Sequence, residues 1–164
     1  MKWKIPPEIK IYEALGCIAD DRIEINGNKV KTWSSSRNKY YEVEYEEQTR
    51  KIIANDNGSY YQKYLGYPMI AYLMKIDELS FDEKCAEMLK GIMWKDLNMK
   101  YNRNKGERVP DYDFDGVIEE IYTNLEEKRK DVEKLKKFVE KVLDEIKEEE
   151  FEILESNLKP PKEY

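Results

Sequence analysis

From Val117 to Lys159 the chain runs without a glycine or proline, and along it Ile118, Leu125, Val132, Val139, Ile146 and Ile153 recur at an unbroken seven-residue interval. Such an interval is the "a" series of a coiled-coil seam, because seven residues span nearly two helical turns. The companion "d" series is mixed: Ile121, Leu135 and Val142 fit it, while Lys128 and Glu149 are charged. The spacing predicts one long acidic helix over residues 114–158. At about 40 residues it would extend ~60 Å, too far to lie wholly on a small domain. It must fold back, pair with another chain or project into solvent. Pairing ranks first, as self-association through the seam, with an antiparallel arrangement placing Lys128 near Glu149 of a second copy.

The 164 residues suit one core-forming domain plus this appendage. The expected division is an α+β domain over 1–105, a linker over 106–113 ("GERVPDYD"), the helix, and a tail over 159–164. No apolar stretch reaches the ~18 residues of a membrane span, and "MKWKIPPEIK" lacks the apolar centre of a signal peptide, so the expectation is a cytoplasmic protein without a membrane partner. Cys17 and Cys85 lack CxxC spacing and read as packing residues. Charge is uneven: residues 1–110 hold 19 basic against 17 acidic side chains, and residues 111–164 hold 10 against 18. The front can meet a polyanion, whereas the rear repels one. The Lys-, Glu-, Ile- and Tyr-rich balance, poor in Gln, matches thermophile usage.

Local patterns place the elements. After "IPPE", Ile9, Tyr12, Leu15 and Ile18 form the stripe of a helix near 7–19. "RIEINGNKVKTW" reads as a hairpin turning at Asn26-Gly27. Tyr41, Val43 and Tyr45 alternate with Glu42 and Glu44 in a half-buried strand that turns near 47–49 and returns through Lys51 to Ala54. Pro68 opens a helix carrying Met69, Ile70, Leu73 and Met74. "SFDE", Ser80 to Glu83, has the form of a capping box, with Leu89, Ile92 and Leu97 extending an apolar face behind it.

Residues 20–74 resemble the SWIM zinc-binding domain. "VKTWSSSRNKYYEV" matches that family's approach to its metal, Asp56 stands where the family Asp falls, and "MIAYLM" matches the helix after the last ligand. By this resemblance the four ligand places hold Ile52, Ala54, Tyr67 and Met69, none of which binds zinc as a thiolate or imidazole does. The resemblance implies a small antiparallel hairpin sheet with packed helices, rebuilt as a hydrophobic core without metal or cofactor. It also implies a non-catalytic adaptor that recognises protein or DNA.

Read from the residues themselves, catalysis is the weaker class. The chain has no histidine, which excludes a Ser–His or Cys–His nucleophile within it. "NDNGS" fails the calcium-loop template, whose first and twelfth places fall on Ile53 and Tyr64. The alternative is a metal-dependent enzyme whose Asp111, Asp113 and Asp115 gather a divalent cation, although such a run also caps a helix. For recognition, Lys29, Lys31, Arg37 and Lys39 flank the aromatics Trp33 and Tyr40: cations for phosphates, rings for bases. The same pattern also describes a charged strand edge over buried rings. The expectation is a protein partner, with nucleic acid bound weakly if at all.

Overall fold

The computed structural model describes residues 1–161. Four strands form an antiparallel meander: β1 (Ile23–Asn26), β2 (Lys29–Trp33), β3 (Tyr40–Glu46) and β4 (Lys51–Ala54). A two-residue strand from the far end of the chain, β5 (Glu152–Ile153), joins parallel to β4. Alternation sets the two faces, as period-two side chains require. Val30 and Thr32, Tyr41 and Val43, and Ile52 and Ala54 point inward and are buried. Asn26 pairs with Lys29, so the first loop is Gly27-Asn28, one residue later than expected. Gly27 takes φ +62°, a conformation that costs glycine little.

The inner face packs on helices. Helix α1 (Ile9–Ala19) buries Ile9, Tyr12 and Leu15 completely, as its stripe predicts, and buries Ile11, Ala14 and Cys17 as well. It is the central strut of the molecule, packed against the helices that follow it in the chain. One of them is α2 (Tyr67–Lys75), which starts with Pro68 in its first turn and buries Met69, Ile70, Leu73 and Met74 between α1 and the sheet. Two short helices follow, α3 (Glu83–Met88) and α4 (Trp94–Lys100). A Cβ at Gly16 would come within 2.7 Å of Trp94 Nε1, so glycine there lets α1 approach α4 closely. The expected capping box does not form. Asp82 is the cap of α3, its Oδ1 accepting the Cys85 N–H at 3.0 Å, while Ser80 gives both its N–H and its hydroxyl to Glu145.

The single long helix is corrected to two, α5 (Phe114–Glu127) and α6 (Val132–Glu149). The break needs neither glycine nor proline. Arg129 takes φ +57°, its N–H meets the Glu126 carbonyl at 2.9 Å, and the Lys130 N–H meets the Leu125 carbonyl at 2.9 Å. These are the two bonds of a Schellman stop. Asp131 then caps α6 by accepting the Lys134 N–H at 3.0 Å. The seam is accordingly divided. Leu125, Val139 and Ile146 enter the chain's own core, Ile118 and Val132 pack partly against it, and Ile153 lies in β5. A helix pair from two copies has no continuous stripe left to bury. Burial of each aliphatic side chain contributes ~1.5–3 kcal/mol, and the core supplies that gain intramolecularly.

The division into a 1–105 domain and an appended helix falls for the same reason, since α5 and α6 share one hydrophobic core with α1, α2 and the sheet. The expected 106–113 linker is part of a surface loop closed at its base, where Asn102 bridges Tyr112 and Arg103 meets Asp111. The N-terminal segment flanks β5, with Trp3 N–H on the Phe151 carbonyl and Ile153 N–H on the Met1 carbonyl. The Lys159 carbonyl accepts from Asn55 Nδ2 at 2.8 Å. Residues 162–164 of the expected tail lie outside the described residues. Among the described residues no helix is long and apolar enough to cross a membrane.

Candidate recognition surface

The outward face of the sheet gathers most of the expected binding residues. Lys29, Lys31 and Trp33 alternate outward along β2, and Tyr40 stands beside Trp33 on β3. The two rings lie 5.1 Å apart between centroids, tilted by 58°. Lys31 Nζ sits 4.6 Å from the Tyr40 centroid, and Lys39 Nζ 5.6 Å from that of Tyr41. Register determines the electrostatics. Lys31 falls between Glu24 and Glu42, and Lys51 between Glu46 and Glu152. The lysines therefore belong to rows of alternating sign, which the sequence order conceals.

Arg37 does not join those rows. Ser34 through Asn38 form a tight turn, Arg37 takes φ +61°, and its Nη2 donates to the Asp20 carbonyl at 2.6 Å. It faces the end of α1.

The strand-turn-helix unit brings Ile52, Ala54 and Met69 into the core, with Tyr67 packed against it and its ring 6.3 Å from that of Tyr41. The "NDNGS" turn has structural work. Asn55 accepts the Glu42 N–H at 2.8 Å, and Asp56 Oδ2 accepts the Ser59 N–H at 3.1 Å. Gly66 donates to Ser59 Oγ, and a Cβ there would collide with Ser59 Oγ and Asp56 Oδ2. Burial pushes the Asp56 carboxyl above its ordinary range, against the opposing pull of the Ser59 hydrogen bonds and Lys10.

Two buried polar groups escaped the sequence reading. On α1, Glu13 is 3% exposed, with Lys10 Nζ 2.9 Å from its Oε2 and Asn98 Nδ2 donating to its Oε1 at 2.7 Å. The Lys10 ammonium lies near the Tyr64 and Phe114 rings. Burial disfavours that cation, but Glu13, Tyr64 and Asp56 outweigh it and raise its pKa. The only signal was an acid placed among apolar neighbours. The second group is Arg22, 2% exposed, whose Nη1 donates to the Trp33 carbonyl at 2.8 Å.

The carboxylates of "DYDFD" do not converge. Asp111 pairs with Arg103, whose hydrogen bond holds its pKa below the usual value; Asp113 caps α5 through the Gly116 N–H; Asp115 is exposed on the first turn. No three His, Cys, Asp or Glu side chains are placed to hold a metal among the described residues. Cys17 and Cys85 are both buried, and burial pushes each thiol up to about 11.

Fold and surface together define an α+β protein whose five-stranded sheet is backed by helices on one side and presents charged rows tipped with aromatics on the other. Over residues 3–152 its sequence matches the model of the family described as "Uncharacterised conserved protein UCP014422", and the chain belongs to that family. No curated protein and no solved structure matches it.

Proposed function

We propose that this is a non-catalytic recognition or adaptor protein that takes a protein partner on its outward sheet face. The observation that carries the proposal is the Trp33–Tyr40 pair, set beside Lys31, which Glu24 and Glu42 bracket in register. Aromatic anchors inside a polar rim suit a protein hot spot, whereas a nucleic-acid backbone calls for cations free of neighbouring acids. A photo-crosslinking side chain at Tyr40, used in cells of the source organism, should capture a discrete partner. The Trp33→Ala change should abolish capture, and a crosslinker at Tyr61 should not reproduce it. Equal capture from both positions, or capture indifferent to Trp33, overturns the proposal.

A second reading, weak single-stranded nucleic-acid binding, draws on the same rings with Lys39 and Arg37 at that end of the sheet. It requires that neutralising Lys29, Lys31, Arg37 and Lys39 together abolish oligonucleotide binding and that binding fall steeply between about 50 and 200 mM salt. The resemblance to SWIM domains fits either partner. On that view residues 20–74 are a zinc unit rebuilt on apolar packing, supported by the burial of Ile52, Ala54 and Met69. Purified protein should then carry substoichiometric zinc, and a chelator should leave its melting transition unmoved.

A further inference from the structure

Three segments distant in sequence enclose a surface hollow of about 320 Å³: the turn after α1, the turn after β2 and the loop before α4. They bring Arg22, Arg37, Lys90 and Ser35 to it, together with Asp20 and Asp21. Positive charge is in excess there. The Asp20 carboxylate is committed, one oxygen accepting the Gly91 N–H at 2.9 Å and the other standing 3.7 Å from Arg22 Nε. Buried Arg22 has that one loose ion pair and the Trp33 carbonyl, and its Nη2 has no hydrogen-bond partner. A buried cation so thinly compensated is costly unless further negative charge comes near. At the rim, Arg37 and Lys90 are exposed, and neither forms an ion pair among the described residues. Ser35 Oγ accepts the Lys95 N–H at 3.4 Å, which leaves its hydroxyl proton available to an acceptor.

We propose that this hollow binds the phosphate group of a small ligand, either free phosphate or a phosphomonoester. The Arg37 guanidinium, whose Nη2 gives one proton to the Asp20 carbonyl and whose remaining N–H groups are left to a ligand, and the Lys90 ammonium supply charge-assisted donors, the Ser35 hydroxyl supplies a neutral one, and the Arg22 guanidinium lends positive potential. Asp21 tilts the site toward a ligand held by several donors at once, since a diffuse anion gains little there. The hollow is separate from the outward sheet face, so it stands or falls independently of the proposed partner.

The test is calorimetric titration of the full chain with inorganic phosphate, adenosine 5′-monophosphate and adenosine. Saturable binding of either phosphate compound with none of adenosine is expected. Tighter binding of the monophosphate identifies an esterified phosphate, and equal binding identifies the free ion. The Arg37→Ala/Lys90→Ala variant changes exposed side chains and should weaken binding at least about tenfold. Lys29→Ala/Lys31→Ala should leave it unchanged. Absence of saturation with both phosphate compounds at millimolar concentration overturns the proposal, as does undiminished binding by the Arg37/Lys90 variant or equal loss in the Lys29/Lys31 variant.

Discussion

Two parts of this molecule place lysine beside glutamate to opposite effect. Under the loop between β4 and α2, Lys10 and Glu13 form a pair with little solvent contact, completed by Asn98 from α4. On the outward sheet face, Lys31 stands between Glu24 and Glu42 with water on one side. Buried charges depend on each other because water cannot replace a missing partner, whereas exposed charges are screened and exchange partners at small cost. The first arrangement fixes where α1 sits against α4. The second leaves its side chains free to reorganise, as the proposed docking of a partner on that face requires.

The largest expected effect comes from breaking the buried set. Glu13→Ala strands the Lys10 ammonium and leaves the Asn98 amide without its acceptor, so destabilisation of about 3–5 kcal/mol is expected in urea titration. Replacing the pair together, Lys10→Met with Glu13→Leu, should recover the part due to the stranded ammonium and leave the cost of the unmet Asn98 amide. If Glu13→Ala alone costs less than about 1 kcal/mol, the pair behaves as a surface pair and the contrast collapses.

Next in size is the divided seam. Val139→Ala removes two buried methyl groups from a fully enclosed site and should cost about 2 kcal/mol. Because Val139 faces the chain's own core, the loss should not depend on protein concentration. A melting temperature that rises with concentration in the native protein and loses that dependence in Val139→Ala would restore the seam as an interface between copies.

Why the seam misled and the sheet did not is a matter of which forces act locally. Tyr41, Val43 and Tyr45 alternate because a pleated strand with one wet face demands it, and that demand is written residue by residue. The stop at Lys128–Asp131 has no such mark. Arg129 adopts a left-handed conformation that glycine usually supplies, and only Asp131, three residues before the N–H it caps, hinted at a new start. Lys10 and Glu13 likewise look like an exposed i,i+3 pair until Asn98 and Phe114 close over them from remote parts of the chain. That Trp33 and Tyr40 lie together at one end of the sheet was legible. The glutamates that flank Lys31 and Lys51, and the withdrawal of Arg37 toward Asp20, follow from register and tertiary packing.

A smaller effect is expected from pH. Asp56 is buried with Oδ1 unpartnered, and its folded-state pKa lies above that of the unfolded chain. The folded protein therefore retains the proton longer, and the Asp56 contribution to stability falls as pH rises from about 4 through the folded value. Asp56→Asn keeps an acceptor for the Ser59 N–H without the charge. Its stability relative to the native protein should increase with pH across the carboxylate range and level off above it. A constant difference from pH about 3 to 7 would mean that Asp56 ionises as freely as an exposed carboxyl.

The smallest effect tests the open face. Lys31→Ala removes one charge from a row of three, in contact with water and over the Tyr40 ring. Coulomb attraction to Glu24 and Glu42 is weakened by solvent, and the freed rotamers of a long side chain offset part of what is lost. The expected change in stability is within about 0.5 kcal/mol and shrinks further at high salt. A loss above about 1 kcal/mol would make Lys31 part of the framework, its ammonium committed to the Tyr40 ring and the flanking glutamates. The face would then lack the freedom to repack around a partner, and the role proposed for Trp33 and Tyr40 would have to move elsewhere on the molecule.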